Sequence, residues 1–200
     1  MIADLLGWLE TVSTDPWFYA VIFVMVMLDS VVPSVPSETT VILGGIAAGQ
    51  GHLWLALVIL VGAAGALTGD NIAYWIGRRG GGALQRTWLS GEKAQRRLDW
   101  ATEQLRVRGG LLLVTGRFVP GGRTAVTLSS GLTRQPWGRF VAVDTLACLV
   151  WAVYTGSLGR FFGARFKDSH TTAFLVALAA ALAVSVLTEA IRWWRNREPA

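Results

Sequence analysis

The chain has 200 residues, 52% of them hydrophobic and 16% charged, with a formal net charge of +5 at pH 7. Its mean hydropathy of +0.46 exceeds that of ordinary soluble domains. No charged side chain occurs from residue 39 to 69 or from 171 to 188, runs long enough to exclude a soluble domain and to predict an all-α integral membrane protein.

The charge is distributed unevenly. Residues 1–77 carry Asp4, Glu10, Asp15, Asp29, Glu38 and Asp70 and no Lys or Arg, whereas residues 78–200 carry all 18 bases. These bases flank apolar spans and accompany no aromatic reading motif, so they predict contact with anionic lipid and no nucleic-acid partner. Cys148 is the single cysteine and His52 and His170 the only histidines, which leaves no internal disulfide and predicts no metal or cofactor. The base-free first 15 residues also argue against a cleaved signal peptide.

In chain order, Ile2, Leu5, Leu6, Leu9 and Val12 predict an amphipathic surface helix over 1–15. Pro16 suits the start of a new helix. Residues 17–28 are wholly apolar but too few to cross a bilayer alone. Asp29 follows, then Pro33 and Pro36, three apart, each removing a backbone donor and breaking the helix. Residues 30–51 are therefore predicted to form a re-entrant hairpin, and 53–77 a full span that carries Asp70 near its end. Ala94, Leu98, Ala101 and Leu105 give an amphipathic linker helix over 90–108, with Ser90 as its cap and Gly109-Gly110 as its stop. A second re-entrant hairpin is predicted over 111–132, and further spans over 138–160, with Asp144 inside, and over 171–192.

A broken hairpin followed by a span thus occurs twice, and the basic linker between the copies predicts opposite orientations. Such an inverted repeat with interrupted helices is a transporter pattern. Glycine pairs four apart, Gly45 with Gly49 and Gly65 with Gly69, allow close helix contact. Trp75, Trp137, Trp193, Trp194 and Tyr74 are expected as interfacial anchors.

Ionisable residues collect at the two breaks, where irregular backbone is tolerated only inside protein or against a wet cavity. Asp29 and Glu38 bracket the first break, and Arg117 and Arg123 bracket the second. A guanidinium offers a planar fork of donors and keeps its charge, so the arginines suit a phosphate. Gly121 and Gly122 let backbone approach an anion closely, and the helix starting near Arg123 points N–H groups at the break. A carboxylate that alternates between apolar surroundings and an arginine partner suits a proton. Asp70 has two open readings: a pair with Arg117 or Arg123, or an anchor for the end of its helix.

The run Pro33-Ser34-Val35-Pro36-Ser37-Glu38, the stretch Gly69-Asp70…Tyr74…Gly77-Arg78 and the block Gly116-Arg117-Phe118-Val119-Pro120-Gly121-Gly122-Arg123…Ser129…Gly131 resemble the signature of the DedA membrane-protein family. Trp151 fits as well, and the resemblance covers roughly residues 15–160. It implies two facing re-entrant hairpins, kinship to VTT-domain lipid scramblases, and in some members the movement of undecaprenyl phosphate across the bacterial cytoplasmic membrane. By motif it implies essential acids at Asp29 and Glu38 and essential bases at Arg117 and Arg123. Family members often have Gly-Asp where this chain has Ser37-Glu38.

The expected function is therefore a multi-pass flippase in the bacterial cytoplasmic (inner) membrane that moves undecaprenyl phosphate or a related lipid phosphate, with proton coupling an open option. Arg117, Arg123, Gly121, Gly122 and Ser37 form the expected substrate-binding set, and Asp29, Glu38 and Asp70 the proton-coupling set. The alternative is an uncoupled phospholipid scramblase or a membrane-homeostasis protein. An enzyme of lipid phosphates ranks below both, since Ser129 and Ser130 lack a nearby base and neither histidine sits in a phosphatase setting. Membrane lipids are expected partners, and a homo-oligomer is left open.

Overall fold

The computed structural model describes residues 15–31, 37–87, 103, 111–115, 117 and 122–165. Every regular element among them is helical: α1 (Phe18–Val31), α2 (Ser37–Gly49), α3 (Leu55–Thr87), α4 (Gly122–Leu132) and α5 (Trp137–Arg165), with a further short helical stretch at 111–115. The expected surface helix over 1–15, linker helix over 90–108 and span over 171–192 lie outside the described residues, apart from Asp15 and Glu103.

Among the described residues, two stretches are long and apolar enough to cross a membrane, Leu55–Gly80 with 26 residues and Trp137–Arg165 with 29. At 1.5 Å per residue each reaches beyond the roughly 30 Å of a hydrocarbon core. By the same measure α1, with 14 residues, and α2, with 13, cover only about 20 Å. The helix α3 continues well past Gly77, the predicted end of its span, as far as Thr87, even though Gly80, Gly81 and Gly82 in this stretch are weak helix formers.

Local chemistry sets the helix ends. Before α1, the Asp15 carbonyl accepts from Phe18 N at 3.0 Å, and Pro16 stands in the first turn, where its missing donor is harmless. At the end of α2, Gly51 N bonds to the Ala48 carbonyl and His52 N to the Ala47 carbonyl, closing a Schellman turn in which Gly51 takes φ 90°. The end of α4 closes in the same way, with Gln135 N on the Ser130 carbonyl at 3.1 Å, but here Arg134 takes the left-handed position at φ 54°.

The helices divide between two compact units. The described residues of the first are 15–26, 37–65 and 149–165. Its centre is α2, in which Ser37 and every residue from Thr40 to Ala48 are buried. A helix buried on all sides needs small residues where neighbours cross. A Cβ on Gly45 or Gly49 would strike α5 backbone at Gly156 or Arg160, and one on Gly159 or Gly163 would strike α2 backbone at Ile42 or Ile46. Gly65 meets the backbone of Phe23 in the same manner.

The described residues of the second unit are 27–31, 66–87, 103, 111–115, 117 and 122–148. Tyr74, Leu113 and Phe140 form its apolar core, with Val126, Val141 and Val143 packed against them. The Tyr74 and Phe140 rings stack with centroids 4.7 Å apart. Tyr74 is fully buried, contrary to the interfacial role expected of it, because its hydroxyl is satisfied internally. It donates to the Gln135 carbonyl at 2.6 Å and accepts from Arg78 Nη1 at 2.7 Å. Gly77 and Gly131 bring α3 and α4 into backbone contact, since a Cβ on either would fall on a carbonyl oxygen of the other helix. Trp75 and Trp137 keep much of their surface exposed.

Candidate functional site: a buried chain of alternating charges

The second unit gathers five ionisable side chains from five segments. Asp29 stands in the last turn of α1, Asp70 midway along α3, Arg117 just after the 111–115 helical stretch, Arg123 in the first turn of α4, and Asp144 on α5. Arg123 Nη2 donates to Asp29 Oδ2 at 2.7 Å, and its Nε lies 3.7 Å from Asp70 Oδ1. Arg117 Nη2 donates to Asp70 Oδ2 and to Asp144 Oδ1, the latter at 3.0 Å. The sequence of contacts runs Asp29, Arg123, Asp70, Arg117, Asp144, with the sign of charge alternating at each step.

Burial deepens along this chain. The side chains of Asp29 and Arg123 are each 11% exposed, whereas those of Arg117, Asp70 and Asp144 are 2% or less. Ions this far from solvent persist only when paired and hydrogen-bonded. Arg117 Nη2 also reaches Cys148 Sγ at 2.8 Å, one helical turn along α5 from Asp144. Asp70, Asp144 and Cys148 bring together donor atoms of the kinds that bind metals. A guanidinium nitrogen bonded to all three already supplies their cation.

The arrangement leaves specific capacity unused. Arg117 Nε and Nη1 are buried and have no hydrogen-bond partner among the described residues, and the same holds for Asp144 Oδ2. Nη2 of Arg117 is thus taken by carboxylates, while Nε and Nη1 have no acceptor among the described residues. The start of α4 is held in place beside it: Thr124 Oγ1 donates to the Ser30 carbonyl at 3.2 Å, and Thr127 Oγ1 to the Arg123 carbonyl at 3.1 Å.

A comparison with known proteins decides the family. The VTT domain matches residues 35–161 of this chain, more than half of its length. The chain belongs to the DedA family of VTT-domain membrane proteins. Its relatives include the inner membrane protein YohD of Escherichia coli, 30% identical over 80% of this chain and 83% of the relative. The undecaprenyl phosphate transporter A of Bacillus subtilis is 25% identical over 92% of each chain. Protein DedA of Escherichia coli is 26% identical over 74% of this chain and 69% of the relative. No solved structure matches the chain.

Within this DedA protein, four of the residues singled out from sequence, Asp29, Asp70, Arg117 and Arg123, meet in one cluster. Asp70 contacts both arginines, so the pairing alternative is the one realised. Gly122 opens α4 next to Arg123, and Gly121 lies outside the described residues. Ser37 and Glu38 open α2 in the first unit, where Ser37 Oγ donates to Glu38 Oε2 at 3.3 Å and the Glu38 side chain is exposed. Asp144 and Cys148 were not among the site residues expected from sequence. The signal that selected Asp29, a lone acid in an apolar run, was equally present at Asp144.

Proposed function

We propose that this DedA protein is a transporter of a lipid phosphate, undecaprenyl phosphate or a close relative of it, in the bacterial cytoplasmic membrane. The observation that carries the reading is Arg117: a deeply buried guanidinium with two nitrogens unpartnered among the described residues, next to a second arginine on the first turn of a helix. A phosphate monoester has the charge and the several acceptor oxygens that such a pair can bind in bidentate fashion. The name of the Bacillus subtilis relative points to the same class of cargo.

In this reading Arg117 and Arg123 bind the head group, Gly121 and Gly122 contribute to its cradle, and the acids Asp29 and Asp70 exchange protons during turnover. Asp29, at the more accessible end of the cluster, gives up Arg123 first when a phosphate arrives. Residues 30–51 and 111–132 act as re-entrant hairpins, in keeping with the short reach of α1, α2 and α4. The protein moves its lipid without altering it and is not an enzyme.

The test is flux. Purified protein in liposomes is supplied with a panel of polyprenyl phosphates and diacyl phospholipids at two pH values. Faster movement of the polyprenyl phosphates than of zwitterionic phospholipids is expected. Equal movement of both classes would favour an unselective scramblase, and no movement above empty liposomes would overturn transport.

A further inference from the structure

The charges in the cluster do not balance. Among the described residues, three carboxylates (Asp29, Asp70, Asp144) meet two guanidiniums (Arg117, Arg123), with Cys148 as an uncharged neighbour. Asp29 and Arg123 pair at the less buried end. At the dry end, Asp70 and Asp144 both take their hydrogen bond from one nitrogen, Nη2 of Arg117, and Asp70 Oδ1 lies 3.7 Å from Nε of Arg123, the guanidinium that also pairs with Asp29. Their carboxylate oxygens and Cys148 Sγ lie within 4.8 Å of one another. Arg117 does not meet the second acid with a second nitrogen: Nε and Nη1 make no hydrogen bond to either carboxylate. Two like charges held together so far from water, sharing one donor nitrogen, are the situation in which a carboxyl pair keeps a proton.

We infer that Asp70 and Asp144 together hold one proton, so that the cluster is electrically neutral, and that Asp144 is a proton-binding residue of this transporter. This deepens the lipid-phosphate reading and rests on it for the proton's use. A protonated Asp144 is a weak partner for Arg117. A phosphate oxygen can therefore replace it on the guanidinium without leaving a bare carboxylate in the interior. An ionised Asp144 would oppose that exchange at every turnover. Asp144 acts by positioning and releasing Arg117 and needs no contact with the lipid.

Infrared difference spectroscopy on the full chain in lipid at neutral pH reads the proton directly, with no transport involved. Difference spectra between the wild type and Asp144→Asn should show a carbonyl stretch of a protonated carboxylic acid, sensitive to deuterium, that the variant lacks. Asp70→Asn should lose the same band, because removing either acid leaves equal numbers of carboxylates and guanidiniums. Glu38→Gln should keep it. Should Asp144→Asn fail to accumulate in the membrane, Asp70→Asn decides alone. A wild type without such a band, or a band that survives the Asp70→Asn substitution, would overturn the inference. Loss of flux with the band intact would instead count against the lipid-phosphate reading.

Discussion

Arg123 and Asp29 form an ion pair at 2.7 Å across 94 positions of sequence. The contact ties the end of α1 to the first turn of α4, and the same guanidinium also approaches Asp70. Removing one member takes this ion pair away from a partly buried charge, whereas removing both deletes the cost along with the gain. In a double-mutant cycle of Asp29→Asn and Arg123→Gln, the double variant should therefore be more stable than the two single losses add up to. A coupling of roughly 0.5–3 kcal/mol is expected from thermal unfolding in detergent, the usual size for residues in one ionic network. Strict additivity would show that the pair carries no net interaction.

Arg117 separates charge from geometry. Arg117→Gln abandons two buried carboxylates, and loss of one partner from such a cluster costs about 3–5 kcal/mol. Arg117→Lys keeps the cation on a shorter side chain and lacks the planar fork. The expected outcome is a poor yield of folded Gln variant and a near-normal yield of Lys variant, measured by size-exclusion profile and melting temperature. Equal yields of both would show that the carboxylates find other partners.

Backbone contact between α3 and α4 rests on Gly131, where a Cβ would land on the Tyr74 carbonyl oxygen and close to Arg78 N. Neither atom belongs to a flexible side chain, so the helices must part. Gly131→Ala is expected to cost at least about 1–3 kcal/mol, the range for overpacking. Gly80, in α3, has nothing among the described residues within 4 Å of its would-be Cβ. Gly80→Ala should be neutral or should stabilise by up to about 1 kcal/mol through helix propensity. Comparing the two melting temperatures checks both.

Tyr74 joins the apolar core of the second unit to the α4–α5 turn through its hydroxyl. Tyr74→Phe keeps the stacking with Phe140 and deprives the Gln135 carbonyl and Arg78 of a partner. A loss of about 1–2 kcal/mol in thermal unfolding is expected, with transport retained at the temperature of assay.

Much of this protein was legible from its sequence because the bilayer imposes simple rules. Long, largely apolar runs marked the stretches of α3 and α5 that are long enough to cross a membrane, and Pro33 and Pro36 lie in the sequence between α1 and α2. Isolated charges in apolar surroundings picked out Asp29, Asp70, Arg117 and Arg123 without any knowledge of their contacts. Pairing was harder to read. Nothing in the spacing says that Asp70 serves both arginines, or that Asp144 and Cys148 close on Arg117 from another helix, because these contacts depend on how the helices pack. Tyr74 misled for a related reason. An aromatic hydroxyl beside arginines at the end of a span suits the membrane interface as well as it suits a buried bridge, and only the Gln135 carbonyl opposite it separates the two.

The central claim is that Arg117 and Arg123 hold a lipid phosphate by directed donation as well as by charge. The most direct measurement is the initial rate of undecaprenyl phosphate movement in liposomes containing the wild type, Arg117→Lys, Arg123→Lys or the double Lys variant, each at equal amounts of folded protein. The account predicts that each single variant loses most of the flux and that the double variant falls to the level of empty liposomes. Wild-type flux in the double Lys variant would contradict it.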